Sequence, residues 1–329
     1  MTWRLLPGAA ALLLLTAAAA PAWQWTLPGG VAPPPVPADN GMSAAKIELG
    51  RRLFYDADLS LDGTLACASC HEQRHGFADS ISTREGVNGD AGRRNAPGLA
   101  NIGWLERLNF ADPHATTLEV QARTPLTGDN PVEMGMKDHQ AEFARRLGAD
   151  ACYRRMFARA FPERKGRIDL RSVTAALAAF QRTITSWNSP YDRFRAGVKD
   201  ALPPLAQEGE RLFRARGCAA CHSGANLTDT RYHRLEAARD KDPGLIEQTG
   251  DPDDAGRFRT PSLRNAALTG PWWHDGTARS LEEAIARHPV AVPAQDLPAL
   301  IAFLHALTDP AIATDPRLSR PDKACGRPF

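Results

Sequence analysis

The stretch Cys67-Ala68-Ser69-Cys70-His71 returns almost letter for letter as Cys218-Ala219-Ala220-Cys221-His222. Cys-x-x-Cys-His is the attachment signal for c-type haem. Two thiols one turn apart can add to the two vinyl groups of one porphyrin. The adjacent histidine is then carried under the ring and supplies the proximal iron ligand. A thioredoxin-like Cys-x-x-Cys needs a βαβ setting that the surrounding sequence lacks. A split zinc site gives no reason for histidine to follow directly on both occasions. With only six cysteines in 329 residues, two matches predict two covalently bound haems c. One is held by Cys67, Cys70 and His71, the other by Cys218, Cys221 and His222.

The surroundings of the motifs repeat as well. Glu48-Leu49-Gly50-Arg51-Arg52-Leu53-Phe54 before the first is echoed by Glu208-Gly209-Glu210-Arg211-Leu212-Phe213 before the second. Phe77-Ala78-Asp79 beyond the first is echoed by Leu227-Thr228-Asp229 beyond the second. One helix, one haem loop and one turn thus occur twice, which predicts two haem domains. The remaining periodicity is helical, in the apolar stripes Val173, Leu177, Phe180, Ile184 and Leu297, Leu300, Ile301, Leu304. Ser43 is a candidate N-cap for a helix carrying Ile47, Leu49, Leu53 and Phe54. Asn188-Ser189-Pro190 is predicted to end the first striped helix. The expected fold is mainly α: two c-type cytochrome-like haem domains related by an internal repeat, with long irregular segments. An extended Pro/Gly-rich segment over 23–42 precedes them. The domains are predicted over 43–200 and 201–329, parting near Pro203-Pro204.

The first 22 residues are predicted to be a signal peptide. Arg4 supplies the positive start, Leu5 to Ala20 the apolar run, and Ala20-Pro21-Ala22 a small-x-small cleavage site. The run falls short of the roughly 20 residues a membrane span needs, so no span is expected in the mature chain. The expected location is the periplasm, since bacteria attach c-type haem outside the cytoplasm. Hydrophobic residues at 43% and charged residues at 24% are ordinary for a globular protein. A net charge of +2 gives no basis for a nucleic-acid partner.

Outside the haem motifs stand Arg94-Asn95-Ala96-Pro97, Pro131-Val132-Glu133-Met134-Gly135, Pro261-Ser262-Leu263-Arg264-Asn265 and His274-Asp275-Gly276. With these pieces the sequence resembles the bacterial di-haem cytochrome c peroxidase and MauG superfamily over essentially its whole mature length. The opening from Trp25 to Asp56 most resembles the MbnH-like subgroup, encoded beside copper-binding partner proteins. In that subgroup peroxide-derived oxidising equivalents convert a partner's tryptophan to kynurenine.

A peroxidatic haem needs an open sixth position and an acid/base that moves a proton between the peroxide oxygens. The resemblance implies Glu133 as the distal glutamate over the first haem and Gln121 as the distal glutamine. The flanking motif sets Glu133 apart from a solvated loop acid; Met134 and Met136 read as packing residues. Family peroxidases block the first haem with a loop histidine until the second is reduced. The matching loop, Thr83 to Arg93, has no histidine, and His75 is too close to His71 to reach the opposite face. The first haem is therefore expected to stand permanently open, with the second as a low-spin electron relay.

The family's second ligand to that relay haem, Met or Tyr, falls where His288 stands, after the helix begun by Ser280-Leu281-Glu282-Glu283. The alternative is a histidine that only caps its helix before Pro289. The resemblance also implies an inter-haem calcium ion held by Asn95, Thr269 and Pro271, all oxygen donors. The family's inter-haem tryptophan is replaced by Phe110, with Trp104 six residues earlier and Trp272 and Trp273 as candidate substitutes. His274 reads as a structural hydrogen-bonding residue. Cys152 and Cys325 either pair, tying the C-terminal tail to the first domain, or remain free.

The expected activity is a haem-dependent peroxidase that uses hydrogen peroxide, most like a protein-modifying oxidase. The rival within enzymes is a detoxifying peroxidase fed by a small donor cytochrome. The rival outside them is a non-catalytic electron-transfer cytochrome, in which Glu133 and an open haem would serve nothing.

Overall fold

The structure is a computed structural model describing residues 23–235 and 242–329. The predicted signal peptide lies outside the described residues. Regular structure among them is mostly helical, with two small antiparallel pairs, Tyr232–Arg234 with Arg257–Arg259 and Lys323–Ala324 with Arg327–Pro328. No helix of the described residues is long and apolar enough to cross a membrane.

Two helix crossings build the fold. The helix Ala44–Phe54 starts on Ser43, whose Oγ accepts from the Lys46 N–H at 3.2 Å. It crosses Leu170–Gln181 so closely that a Cβ on Gly50 would lie 1.9 Å from the Ala176 carbonyl oxygen. The helix Pro204–Ala215 crosses Leu297–Ala306 in the same way, a Cβ on Gly209 falling 1.9 Å from the Ala299 carbonyl oxygen. Each crossing is closed by an aromatic pair, Phe54 with Phe180 at 5.3 Å and Phe213 with Phe303 at 5.2 Å between ring centroids. The repeat therefore extends to a second helix, Ala176-x-x-x-Phe180 answering to Ala299-x-x-x-Phe303, a correspondence the two apolar stripes did not reveal.

A buried asparagine ties each unit together. Asn101 and Asn265 are both fully buried with left-handed backbone, at φ 56° and 60°. Asn101 donates its backbone N–H to the Ile184 carbonyl at 2.8 Å, and its Oδ1 accepts from the Ser186 N–H at 2.8 Å. Asn265 donates to the Leu307 carbonyl at 3.1 Å, and its Oδ1 accepts from the Asp309 N–H at 2.8 Å. The first of these bridges corrects one expectation. The striped helix ends at Gln181, not near Asn188, because Ile184 and Ser186 leave the helix to meet Asn101. Ser189 instead caps a separate helix, Pro190–Arg195.

Apolar side chains collect around the two crossings. One cluster contains Leu49, Leu53, Phe54, Leu177 and Phe180, the other Leu212, Phe213, Leu300, Phe303 and Leu304. The Pro-rich opening runs without helix or strand from 23 to 37. It is fastened to the first unit by Trp104 Nε1 donating to the Ala32 carbonyl at 2.8 Å and Arg182 Nε to that of Pro35 at 3.2 Å.

The end of the chain also returns to the first unit. Ile312 and Leu318 join the first cluster, and the Tyr55 hydroxyl donates to the Leu318 carbonyl at 2.8 Å. Gln73 Nε2 donates to the carbonyls of Ile312 and Asp315 at 3.2 and 2.9 Å. Cys152 and Cys325 are disulfide-bonded across a sequence separation of 173, which decides between the two alternatives the sequence left open. A closure of that length constrains the unfolded chain, so Cys325→Ser is expected to cost about 2–5 kcal/mol of stability. Differential scanning calorimetry of the holoprotein would show this as a lowered midpoint; an unchanged midpoint would mean the bridge adds nothing.

Candidate functional site

The two motifs prepare their histidines alike. His71 Nδ1 lies 2.8 Å from the Phe77 carbonyl oxygen, and His222 Nδ1 lies 3.2 Å from that of Leu227. A carbonyl can only accept, so Nδ1 carries the proton and Nε2 keeps its lone pair for a metal. Phe77 and Leu227 reach their rings from left-handed backbone, at φ 63° and 51°. The rings of Phe54 and Phe213 stand 6.5 Å from His71 and His222 respectively. Each crossing helix thus ends against the histidine of its own motif, which is why helix, loop and turn repeat as one unit. Both histidines are prepared to bind haem iron through the same nitrogen.

Beside the first motif lies Glu133. Its segment is held by the Met134 N–H donating to the Pro125 carbonyl at 3.0 Å and the Met136 N–H to that of Leu126 at 2.8 Å. Met134 and Met136 are buried in the first cluster, as expected of packing residues. Glu133 is exposed as a whole residue, yet enough protein surrounds its carboxyl that desolvation raises the pKa above the ordinary value. Burial first, with the Glu133 charge among the lesser causes, pushes the Cys67 and Cys70 thiols up to about 12. The acid is therefore within electrostatic reach of both haem-attachment sulfurs. Gln121 ends the short helix Leu118–Gln121, and Pro125, whose carbonyl anchors Met134, lies in the next, Arg123–Thr127. That run is fixed by Glu119, which accepts from both Nη atoms of Arg182 at 2.7 and 2.8 Å and from Asn40 Nδ2 at 2.6 Å.

The loop of 83–93 is fastened to the back of the same segment. Val87 N–H donates to the Glu133 carbonyl at 2.8 Å, and Asp90 Oδ2 accepts from the Val132 N–H at 3.1 Å. A Cβ on Gly86 would lie 1.8 Å from the Val132 carbonyl oxygen. The loop thus supports Glu133 and offers no histidine of its own.

The second motif opens on a cavity of about 340 Å³ that also receives His288. The His222 and His288 ring centroids are 6.3 Å apart, with planes inclined at 57°. His288 Nδ1 lies 2.9 Å from the Ala284 carbonyl oxygen, so this ring too keeps Nε2 free of its helix. Trp273 stands edge-on to His288 at 5.7 Å. Burial, and then the neighbouring His288, push the His222 pKa down to about 4, so the ring is neutral and can act as a ligand.

Asn95, Thr269 and Pro271 all line the same cavity. Asn95 Nδ2 donates to the carbonyls of Ile81 and Ser82 at 2.9 and 3.1 Å, which turns its Oδ1 the other way. Phe110 also lines this wall, whereas Trp104 packs edge-on against Trp187 at 5.3 Å. Trp272 and Trp273 line the cavity as well. The His274 ring stacks on Phe258 at 3.6 Å, and the His274 carbonyl accepts from the Asn95 N–H at 2.7 Å. The sequence reading passed over two residues that line this cavity, His233 and Arg259. His233 Nε2 lies 2.7 Å from Asp229 Oδ2. Neither belongs to a motif that would have flagged it.

One fold that presents two histidines through the same nitrogen, each behind a pair of cysteines, is that of a di-haem c-type cytochrome. The asymmetry lies in the acids: burial raises the carboxyl pKa of Glu133 beside the first site, whereas against burial hydrogen bonds from Arg231 and His233 hold that of Asp229, beside the second, below its ordinary value. The description "Di-haem cytochrome c peroxidase" matches residues 44–200, and "Cytochrome c" matches residues 206–308. The chain is 33% identical to the cytochrome-c peroxidase IdrP1 of Denitromonas iodatirespirans, over 92% of this chain and 93% of that protein. It is 34% identical to the methylamine utilization protein MauG of Methylorubrum extorquens, over 86% and 84%. Among solved structures, a MauG-like protein associated with microbial copper homeostasis superposes with a TM-score of 0.85 at 39% identity, covering 92% of this chain and all of that one. The chain belongs to the di-haem cytochrome c peroxidase and MauG family. It is a haem-dependent peroxidase that carries two haems c.

Proposed function

We propose that this chain is a periplasmic peroxidase that consumes hydrogen peroxide at its first haem and oxidises a tryptophan of a partner protein. The observation that carries the reading is Glu133, an acid with a raised pKa within reach of Cys67 and Cys70 and backed by a loop without histidine. When bound, haem supplies an iron whose open sixth position accepts peroxide and the electrons that cleave its O–O bond. Cys67 and Cys70 would hold the group, and His71 would present Nε2 to it because its Nδ1–H is given to the Phe77 carbonyl. Glu133 would take a proton from one peroxide oxygen and deliver it to the other, which leaves as water. Gln121 orients the peroxide through its amide.

In the second unit Cys218 and Cys221 would attach the haem, and His222 and His288 would each offer it a nitrogen donor. His222 and His288 line the same cavity, and each turns its Nδ1 to a backbone carbonyl, Leu227 and Ala284 respectively. Their ring centroids, 6.3 Å apart, support that pairing. Asn95 Oδ1 and the carbonyls of Thr269 and Pro271 would hold calcium, a hard cation suited to oxygen donors.

The partner reading rests on the 39% identity to a MauG-like protein associated with microbial copper homeostasis, and names a copper-binding periplasmic protein as the substrate. Mass spectrometry of such a protein, encoded beside this chain and treated with peroxide and the holoenzyme, should find a tryptophan converted to kynurenine. An unmodified partner together with rapid oxidation of a reduced small cytochrome would replace this reading with peroxide detoxification. A second expectation concerns activation. With no histidine in the loop of 83–93, the fully oxidised protein should react with peroxide directly in stopped flow. A haem spectrum that stays still until one electron is added would refute the open first haem.

A further inference from the structure

Arg259 sits in the wall of the second cavity, 3% exposed. It ends the strand Arg257–Arg259, and its backbone N–H donates to the Phe110 carbonyl at 2.8 Å. Its guanidinium lies over the Phe110 ring, 5.6 Å from the centroid, and Nη1 donates to the Thr260 carbonyl at 3.0 Å. Nε is buried and has no hydrogen-bond acceptor among the described residues. No carboxylate of the described residues forms an ion pair with it, whereas the cavity's other arginine, Arg264, is paired with Asp192 at 2.9 Å. Burial lowers the Arg259 pKa to about 10, which leaves it charged at neutral pH all the same.

A buried guanidinium without a counter-ion is costly, because the desolvation of the charge is not offset. A cation in this position needs an anion, and no carboxylate among the described residues is within ion-pair distance of it. The occupant expected in the adjoining cavity carries two carboxylates of its own. We infer that Arg259 is the counter-ion of a propionate of the second haem, fixing how that haem is oriented and raising its reduction potential. This inference rests on the reading of Cys218, Cys221 and His222 as the attachment site. The electrostatic consequence follows directly. A fixed positive charge close to the porphyrin disfavours the ferric state, which bears one positive charge more than the ferrous. Phe110, held beneath the same guanidinium, keeps that edge of the cavity apolar and so limits screening of the charge.

Spectroelectrochemical titration of the holoenzyme tests the inference. Arg259→Gln should shift the midpoint of the second haem downward, while Arg259→Lys, which keeps the charge, should shift it less. Both variants should retain two haems per chain by pyridine haemochrome and an unaltered low-spin spectrum. A Gln variant with two haems and an unmoved midpoint would overturn the proposal. A preparation of the unmodified chain with fewer than two haems would instead overturn the attachment reading beneath it. If neither variant matures, a crystal structure of the unmodified holoenzyme decides. A propionate oxygen within 4 Å of the guanidinium is expected, and both propionates directed elsewhere would end the idea.

Discussion

Glu133→Gln is expected to lower peroxide turnover roughly 10²–10⁴-fold, the usual worth of a positioned acid/base, while both haem spectra survive. The substitution keeps the side-chain shape and breaks no ion pair, because burial is the cause of the Glu133 shift and no charged partner contributes. The hydrogen bonds that hold its segment use backbone atoms, the Glu133 carbonyl with the Val87 N–H and the Met134 N–H with the Pro125 carbonyl. A lost rate therefore reports lost proton transfer and not a displaced loop. The pH profile adds an independent sign. Glu133 must be ionised to accept the first proton, so kcat/KM should fall as pH drops through a pKa raised above the usual carboxylate value. The Gln variant should lose that acid limb. Undiminished turnover in steady-state peroxide assays would remove Glu133 from the distal role.

His288→Ala is expected to convert the second haem from low spin to high spin, leaving the first little changed. Two imidazoles with planes 57° apart should give the unmodified protein a low-spin ferric EPR signal. They should give no near-infrared band of the kind thioether sulfur produces. Removing one nitrogen donor opens that iron. The rival role is a cap after the helix Leu281–Ala286, where His288 Nδ1 already meets the Ala284 carbonyl. A cap alone would cost about 1 kcal/mol and leave both spectra intact. An unchanged low-spin signal in the Ala variant would sink the ligand assignment.

The legible parts of the fold were those with local signatures. Cys-x-x-Cys-His carries its chemistry in five consecutive residues, and the echo of Gly50-x-x-Leu53-Phe54 in Gly209-x-x-Leu212-Phe213 marked a helix whose place is fixed by the motif after it. The partner helices were harder, because Ala176 and Ala299 matter for their smallness against a glycine that is distant in sequence. Asn101 and Asn265 went unread for the same reason: an asparagine that bridges two segments looks like any other until both segments are in place. The end of the striped helix was misjudged because Pro190 is a stop signal, whereas Asn101, some eighty residues earlier, is the physical cause. At the sites, Glu133 and Gln121 came from a resemblance and not from spacing. Arg259 carried no signal of its own, since a buried charge declares itself only when no acid of the described residues proves to pair with it.

The bridge between Cys152 and Cys325 bears on how the molecule is made. Its two sulfurs must be oxidised, whereas Cys67, Cys70, Cys218 and Cys221 must stay reduced until vinyl groups reach them. Cys325 follows every other cysteine in the chain. In a polypeptide that emerges amino end first, Cys152 therefore meets four wrong partners before the right one arrives. Assembly becomes a question of timing between two opposed chemistries: thioether formation has to claim its four sulfurs ahead of the oxidant, or mispaired bridges have to be undone. The yield of active protein should then depend on the order in which haem and oxidant act as much as on the supply of either.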